Sequence, residues 1–256
     1  MTTMTTAARP SVSIPAWSIR QILGLWAAAA LPMAALAWVV APLVAHLFSG
    51  PAALPRALIL CLTAGLVWQF ALVMIVVRRE QGSLRWPVIK AALWLQAPRS
   101  PSTGRAKGML WIVLIPCMLI FGAEELLPAI PAVTGHDLPT FMASAAGTHI
   151  LSGSWAWFGV ITALAVFNTV LGEELLFRGL LLPRMGRFGR ADWVVNGVLF
   201  AMYHLHEPWV IPQTVLVDTF AEALPSRRYR SSLIGIAVHS SQTVFFIAIG
   251  LSLVLK

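Results

Sequence analysis

From Ile22 to Phe48, and again from Ala57 to Val77, the chain carries no Asp, Glu, Lys or Arg. Each run exceeds the roughly 20 residues that an α-helix rising 1.5 Å per residue needs to cross the hydrocarbon of a bilayer. Ser49, Gly50, Pro51 and Pro55 punctuate the gap, so the two runs predict a pair of membrane spans joined by a hairpin. Met109–Ile130 predicts a third span. Trp155–Leu182 predicts a fourth, because Glu173, Glu174 and Arg178 interrupt its apolar character without a helix breaker before Pro183. Trp193–His206 and Pro208–Ala223 predict a fifth and a sixth, the latter interrupted by Asp218 and Glu222, and Leu233–Leu255 an uncharged seventh. The pattern predicts an all-α fold, a polytopic transmembrane bundle of about seven helices. A polar segment, 1–21, precedes a single membrane domain, 22–256, whose part 155–256 carries the candidate chemistry.

The basic residues sort with these runs. Arg78, Arg79, Arg85, Lys90, Arg99, Arg105 and Lys107 crowd one loop, and short loops rich in Lys and Arg stay cytoplasmic. Within that loop, Trp86–Leu95 is apolar between cations and predicts a helix lying on the membrane surface. Pro131–Ser154 has neither Lys nor Arg and is expected outside; Arg184, Arg187 and Arg190, then Arg227, Arg228 and Arg230, return the chain to the inside.

Composition agrees: 58% of residues are hydrophobic and 11% charged, far from a soluble globule. The net charge of +8 lies between apolar runs and forms no basic module, so no nucleic-acid partner is expected. Cys61 and Cys117 fall within apolar runs and suggest neither a disulfide nor a metal site. The first apolar run is too long for a signal peptide, so no cleavage is expected, and Met1–Ser13 is expected to be disordered. The expected setting is an integral, multi-pass protein of a bacterial plasma membrane.

Ionisable groups inside the bilayer then need a reason. Glu173 and Glu174 lie about 15 Å before the Arg184 boundary, near mid-bilayer, where insertion scales put an acidic residue at about 2.5–3.5 kcal/mol. Arg178 is one turn after Glu174, so an ion pair is geometrically available there. Glu173 is offset by about 100° and left for chemistry. His204 and His239 reach a similar depth on other spans, and Gln242 and Thr243 follow His239 on its face. A carboxylate, two imidazoles and neighbouring amide or hydroxyl donors comprise a general base, its partner and an oxyanion stabiliser, enough to activate water against an acyl carbon. The same groups suit zinc as well, through two His and a Glu, although no HExxH helix is present. Glu124 and Glu125 are read as interfacial, and His206 and Glu207 as structural, with His206 on nearly the opposite helix face from His204. Asp218 and Glu222 share a face and are read as lining a polar cavity or pairing with arginines.

Residues 172–179, GEELLFRG, resemble the EExxxR motif of the CAAX protease and bacteriocin-processing family, which includes the Ras-converting CAAX endopeptidase and abortive-infection proteins. Phe200 to His204 is similar to that family's FxxxH motif, and His239 to the start of its HxxxN motif. The resemblance implies an intramembrane endopeptidase in which Glu173 and His204 activate water while His239 and the residue four later hold the oxyanion. It implies no cofactor and a membrane-embedded or lipidated peptide as substrate. Position 243 is Thr where the family has Asn, and Gln242 is the nearest carboxamide. A non-catalytic scaffold or immunity protein of the same fold is the alternative that this departure leaves open.

Overall fold

The computed structural model describes residues 12–255. Four helices are long and apolar enough to cross a membrane: α1 (Ile19–Ala45), α2 (Ala53–Gln81), α7 (Trp155–Arg184) and α10 (Ser232–Val254). Between 28% and 39% of the residues in the most apolar stretch of each are buried inside the bundle. Shorter helices complete the bundle: α3 (Trp86–Ala92), α4 (Gly108–Gly122), α5 (Leu138–Ala143), α6 (Ala145–Leu151), α8 (Asp192–Tyr203) and α9 (residues 211–229). No β-strand occurs among the described residues. The expected disordered start, Met1–Ser13, falls almost entirely outside them.

Local chemistry explains several boundaries. Ser18 and Gln21 form a reciprocal capping box that starts α1. Pro32 inside α1 cannot donate to the Ala28 carbonyl one turn earlier, and the Trp68 indole of α2 donates to that carbonyl instead at 2.9 Å. The freed backbone group is thereby satisfied inside the membrane, as hydrocarbon requires.

Three expectations change. The third span is shorter than Met109–Ile130: α4 ends at Gly122, a tight 3₁₀ turn follows over Ala123–Leu126, and Pro128 forbids resumption. The surface helix 86–95 is present, but Val88, Ala92 and Leu93 are buried, and its C-terminal end packs against the Arg184 end of α7 and the Ser232 end of α10. Ser232 donates through its hydroxyl to Leu93 O at 2.7 Å and through its backbone N–H to Trp94 O at 3.0 Å. Arg184, read as a loop cation, is fully buried; its Nη2 pairs with Glu80 at 2.5 Å and its Nη1 donates to Leu180 O at 2.7 Å. Trp17 joins this clamp by donating its indole N–H to Glu80 Oε1 at 2.8 Å.

The loop Pro131–Ser154 is not a plain connection. It folds into α5 and α6, and Leu138, Pro139 and Met142 turn inward onto a cavity between the helices.

Candidate active site

The Glu-Glu pair sits where α7 departs from α-helical winding. Residues Phe167–Gly172 and Leu175–Leu181 are wound as π-helix on either side of Glu173 and Glu174. Such widened turns recur at functional sites because they re-aim side chains. In an ordinary helix a residue five positions before Glu173 would face about 140° away. Here Asn168 lines the same cavity as Glu173.

Behind the cavity is a buried ionic cluster. Arg178 reaches Glu174 at 3.2 Å and Glu222 of α9 at 2.5 Å, with none of the three side chains exposed. The guanidinium lies 3.9 Å from the centre of the Phe200 ring, a cation over an aromatic face. His239 Nδ1 lies 3.5 Å from Glu174 Oε1. Gly235, one turn earlier on α10, makes room for this approach: a Cβ there would overlap Glu174 Oε2. Glu174 and Arg178 thus form the expected pair. Glu222 is the second carboxylate, which spacing on α7 alone does not reveal.

Glu173 faces the other way. It lines a cavity of about 380 Å³ together with His204, His239, Gln242 and Thr243. His204 Nδ1 is 3.1 Å from the Phe200 carbonyl, which can only accept, so Nδ1 carries the proton and Nε2 is the free lone pair. Phe200 meets the His204 ring edge-on at 4.9 Å and the His239 ring at 6.2 Å, and so spaces the two imidazoles. Thr243 is buried and its hydroxyl lies 2.8 Å from that of Thr169. Gln242 and Asn168 line the cavity with no hydrogen-bond partner among the described residues.

Two residues behind Glu173 carry no motif signature. Gln69 of α2, fully buried, donates to the Tyr203 hydroxyl at 2.6 Å, and that hydroxyl in turn interacts with the Glu173 carboxylate. A lone Gln in an apolar span and a Tyr within a helix gave no spacing cue; only the fold brings them together.

The residues read as interfacial or structural also reach the cavity. Glu124, His206 and Glu207 line it, beside Asp218, which was expected to face such a cavity. The opposite-face argument for His206 fails because α8 ends at Tyr203; in the following turn His204 and His206 stack at 5.5 Å. Burial, with the charge of Asp137 nearby, raises Glu207 in that turn to about 7.

The donor set fits a metal poorly. Among the described residues the ligand atoms that converge are those of Glu174, Glu222 and His239, within 4.8 Å of one another. The Arg178 guanidinium already bridges the two carboxylates there. A second cation would have to displace it, and Glu173 and His204 stand outside the set.

Residues 154–245 match the family described as type II CAAX prenyl endopeptidase Rce1-like. No curated protein and no solved structure matches the chain.

Proposed function

Residues 154–245 belong to the Rce1-like type II CAAX prenyl endopeptidases, and from that premise we propose that the chain is an intramembrane endopeptidase working through a water activated by Glu173 and His204. The observation that carries this reading is the convergence of Glu173 of α7, His204 in the turn after α8 and His239 of α10 on one cavity within the membrane domain. Glu173 is the general base; Tyr203, held by Gln69, fixes its carboxylate. His204, with Nδ1 committed to a carbonyl, presents Nε2 as acceptor to the same water. Attack on the scissile carbonyl places the proton on Glu173 and negative charge on the carbonyl oxygen, and the carboxyl then returns the proton to the leaving amine.

In its imidazolium form His239 stabilises the oxyanion through Nε2–H, with Nδ1–H facing the Glu174 carboxylate. Thr243, its hydroxyl engaged with Thr169, is a weak replacement for the family Asn; the unpartnered carboxamides of Gln242 and Asn168 are the better donors. Because the donor set already holds a guanidinium, the reading uses no metal.

The test is cleavage of a prenylated peptide by reconstituted protein, followed by mass spectrometry. Cleavage is expected, with a loss of at least a hundredfold in Glu173→Ala; an intact peptide, or cleavage that survives Glu173→Ala, rejects the reading.

A further inference from the structure

The cavity has two chemically different walls. One is apolar: Leu62 and Leu66 of α2, Ile161 and Leu164 of α7, and Phe246 of α10. The other carries Glu124 just beyond α4, His206 and Glu207 in the turn after α8, and Asp218 of α9. Glu124 acts electrostatically on Asp218, and Asp137 on Glu207, so the acids fall into two interacting pairs along the cavity. No Lys or Arg lines the cavity among the described residues. Arg178 behind it pairs with Glu174 and Glu222, and its charge also reaches Asp218.

Two side chains on this wall point to a ligand independently of the charge count. Asp218 is 5% exposed and its Oδ1 has no hydrogen-bond partner; His206 is 6% exposed and its Nδ1 has none. Both line the cavity. Buried polar atoms are ordinarily satisfied, and a carboxylate oxygen can be satisfied only by a donor. An ammonium brings three donors and a guanidinium five, with no acceptor to conflict with the wall. A carboxylate ligand would bring acceptors only, towards acids of like sign with no Lys or Arg in the cavity lining among the described residues.

The geometry points to a cation-binding subsite formed by Glu124, Glu207 and Asp218 with His206, which selects a peptide that places a Lys, an Arg or a free amine in the cavity while its apolar portion lies on the Leu62 and Leu66 wall. This deepens the endopeptidase reading and rests on it for the statement that the bound peptide is a substrate. The binding preference itself does not depend on turnover.

Binding would be measured on full-length Glu173→Ala protein in lipid nanodiscs, which removes the general base. The probes are three farnesylated, C-terminally amidated peptides identical except for one residue, Lys, Gln or Glu. The Lys peptide is expected to bind at least tenfold more tightly than the Glu peptide, with the Gln peptide between them. Adding Glu207→Gln, or separately Asp218→Asn, should reduce the preference for Lys over Gln severalfold without weakening the Gln peptide. Equal affinities, a reversed order, or no binding of any of the three would overturn the subsite. Cleavage of the same peptides by the unmutated protein is scored separately. A charge preference without cleavage rejects the endopeptidase reading and leaves the subsite standing; cleavage without a charge preference does the reverse.

Discussion

Arg178 and Glu222 meet at 2.5 Å with neither side chain exposed, and Glu174 completes the cluster at 3.2 Å from the same guanidinium. One cation therefore holds two carboxylates that would otherwise be unpaired in a medium without water. Arg178→Ala should cost about 3–5 kcal/mol, the usual penalty for breaking a buried ion pair by removing one partner. Arg178→Lys should recover little, because an ammonium lacks the planar fork that spans two carboxylates. Thermal unfolding in detergent checks both, and an unchanged transition for Arg178→Ala would contradict the pairing.

The sequence shows two of the three residues of that cluster. Glu174 and Arg178 are four residues apart on one helix, so their meeting follows from helical geometry alone. Glu222 arrives on α9, and no local rule connects it to α7. The same holds for Gln69 and Tyr203, 134 positions apart. The long uncharged runs were legible because crossing a bilayer demands length and apolarity together. The helices α4, α8 and α9 were harder: α4 and α8 are shorter than a full span, and α9 carries Asp218 and Glu222 within its apolar run. His206 was misplaced for one specific reason. Helical periodicity predicts the face of a residue only as far as Tyr203, where the helix stops.

Tyr203 is expected to act on turnover, not on binding. Tyr203→Phe keeps the ring that packs against Phe177 and Phe200 but removes the hydroxyl that Gln69 holds against Glu173. On a cleaved peptide, kcat should fall by roughly tenfold, matching the ~1.4 kcal/mol of one positioning hydrogen bond, while KM stays within twofold. Gln69→Leu should give the same split. A change confined to KM would mean that the relay serves substrate binding instead.

Topology is open to chemical labelling. Cys61 and Cys117 are buried at 6% and 4% exposure, so they should contribute little background. A cysteine placed at Ser102, exposed in the basic loop, should react with an impermeant maleimide only from the cytoplasmic side; one at Ala132 should react only from the other. Reversed accessibility would invert the orientation of the whole bundle, and with it the side towards which α5 and α6 cap the cavity.

The donors to the oxyanion can be separated by single changes. Thr243→Val removes a hydroxyl whose nearest partner is Thr169 at 2.8 Å, so it should lower kcat by no more than about fivefold, or about 1 kcal/mol. Gln242→Ala or Asn168→Ala should cost more, towards the roughly hundredfold typical of losing one oxyanion donor. Both carboxamides line the cavity unpartnered, so their truncation leaves no orphaned group in the core. If Thr243→Val abolishes turnover while both carboxamide variants retain it, the hydroxyl is the donor and the assignment of the amides is wrong.

Metal dependence discriminates the mechanisms most sharply. A general-base mechanism needs a positioned water and donors, so exhaustive chelation should leave peptide cleavage unchanged and the purified protein should contain no stoichiometric zinc. A zinc mechanism requires loss of activity on chelation and its return with added zinc. The residues favour the first outcome. The converging ligand atoms belong to Glu174, Glu222 and His239, and Arg178 already supplies the positive charge between those carboxylates. A dication placed there would repel the guanidinium, leave it buried without its partners, and still lie apart from Glu173 and His204. Elemental analysis finding one zinc per chain, lost together with activity, would move the mechanism to the metal and require Arg178 to swing away from the two carboxylates.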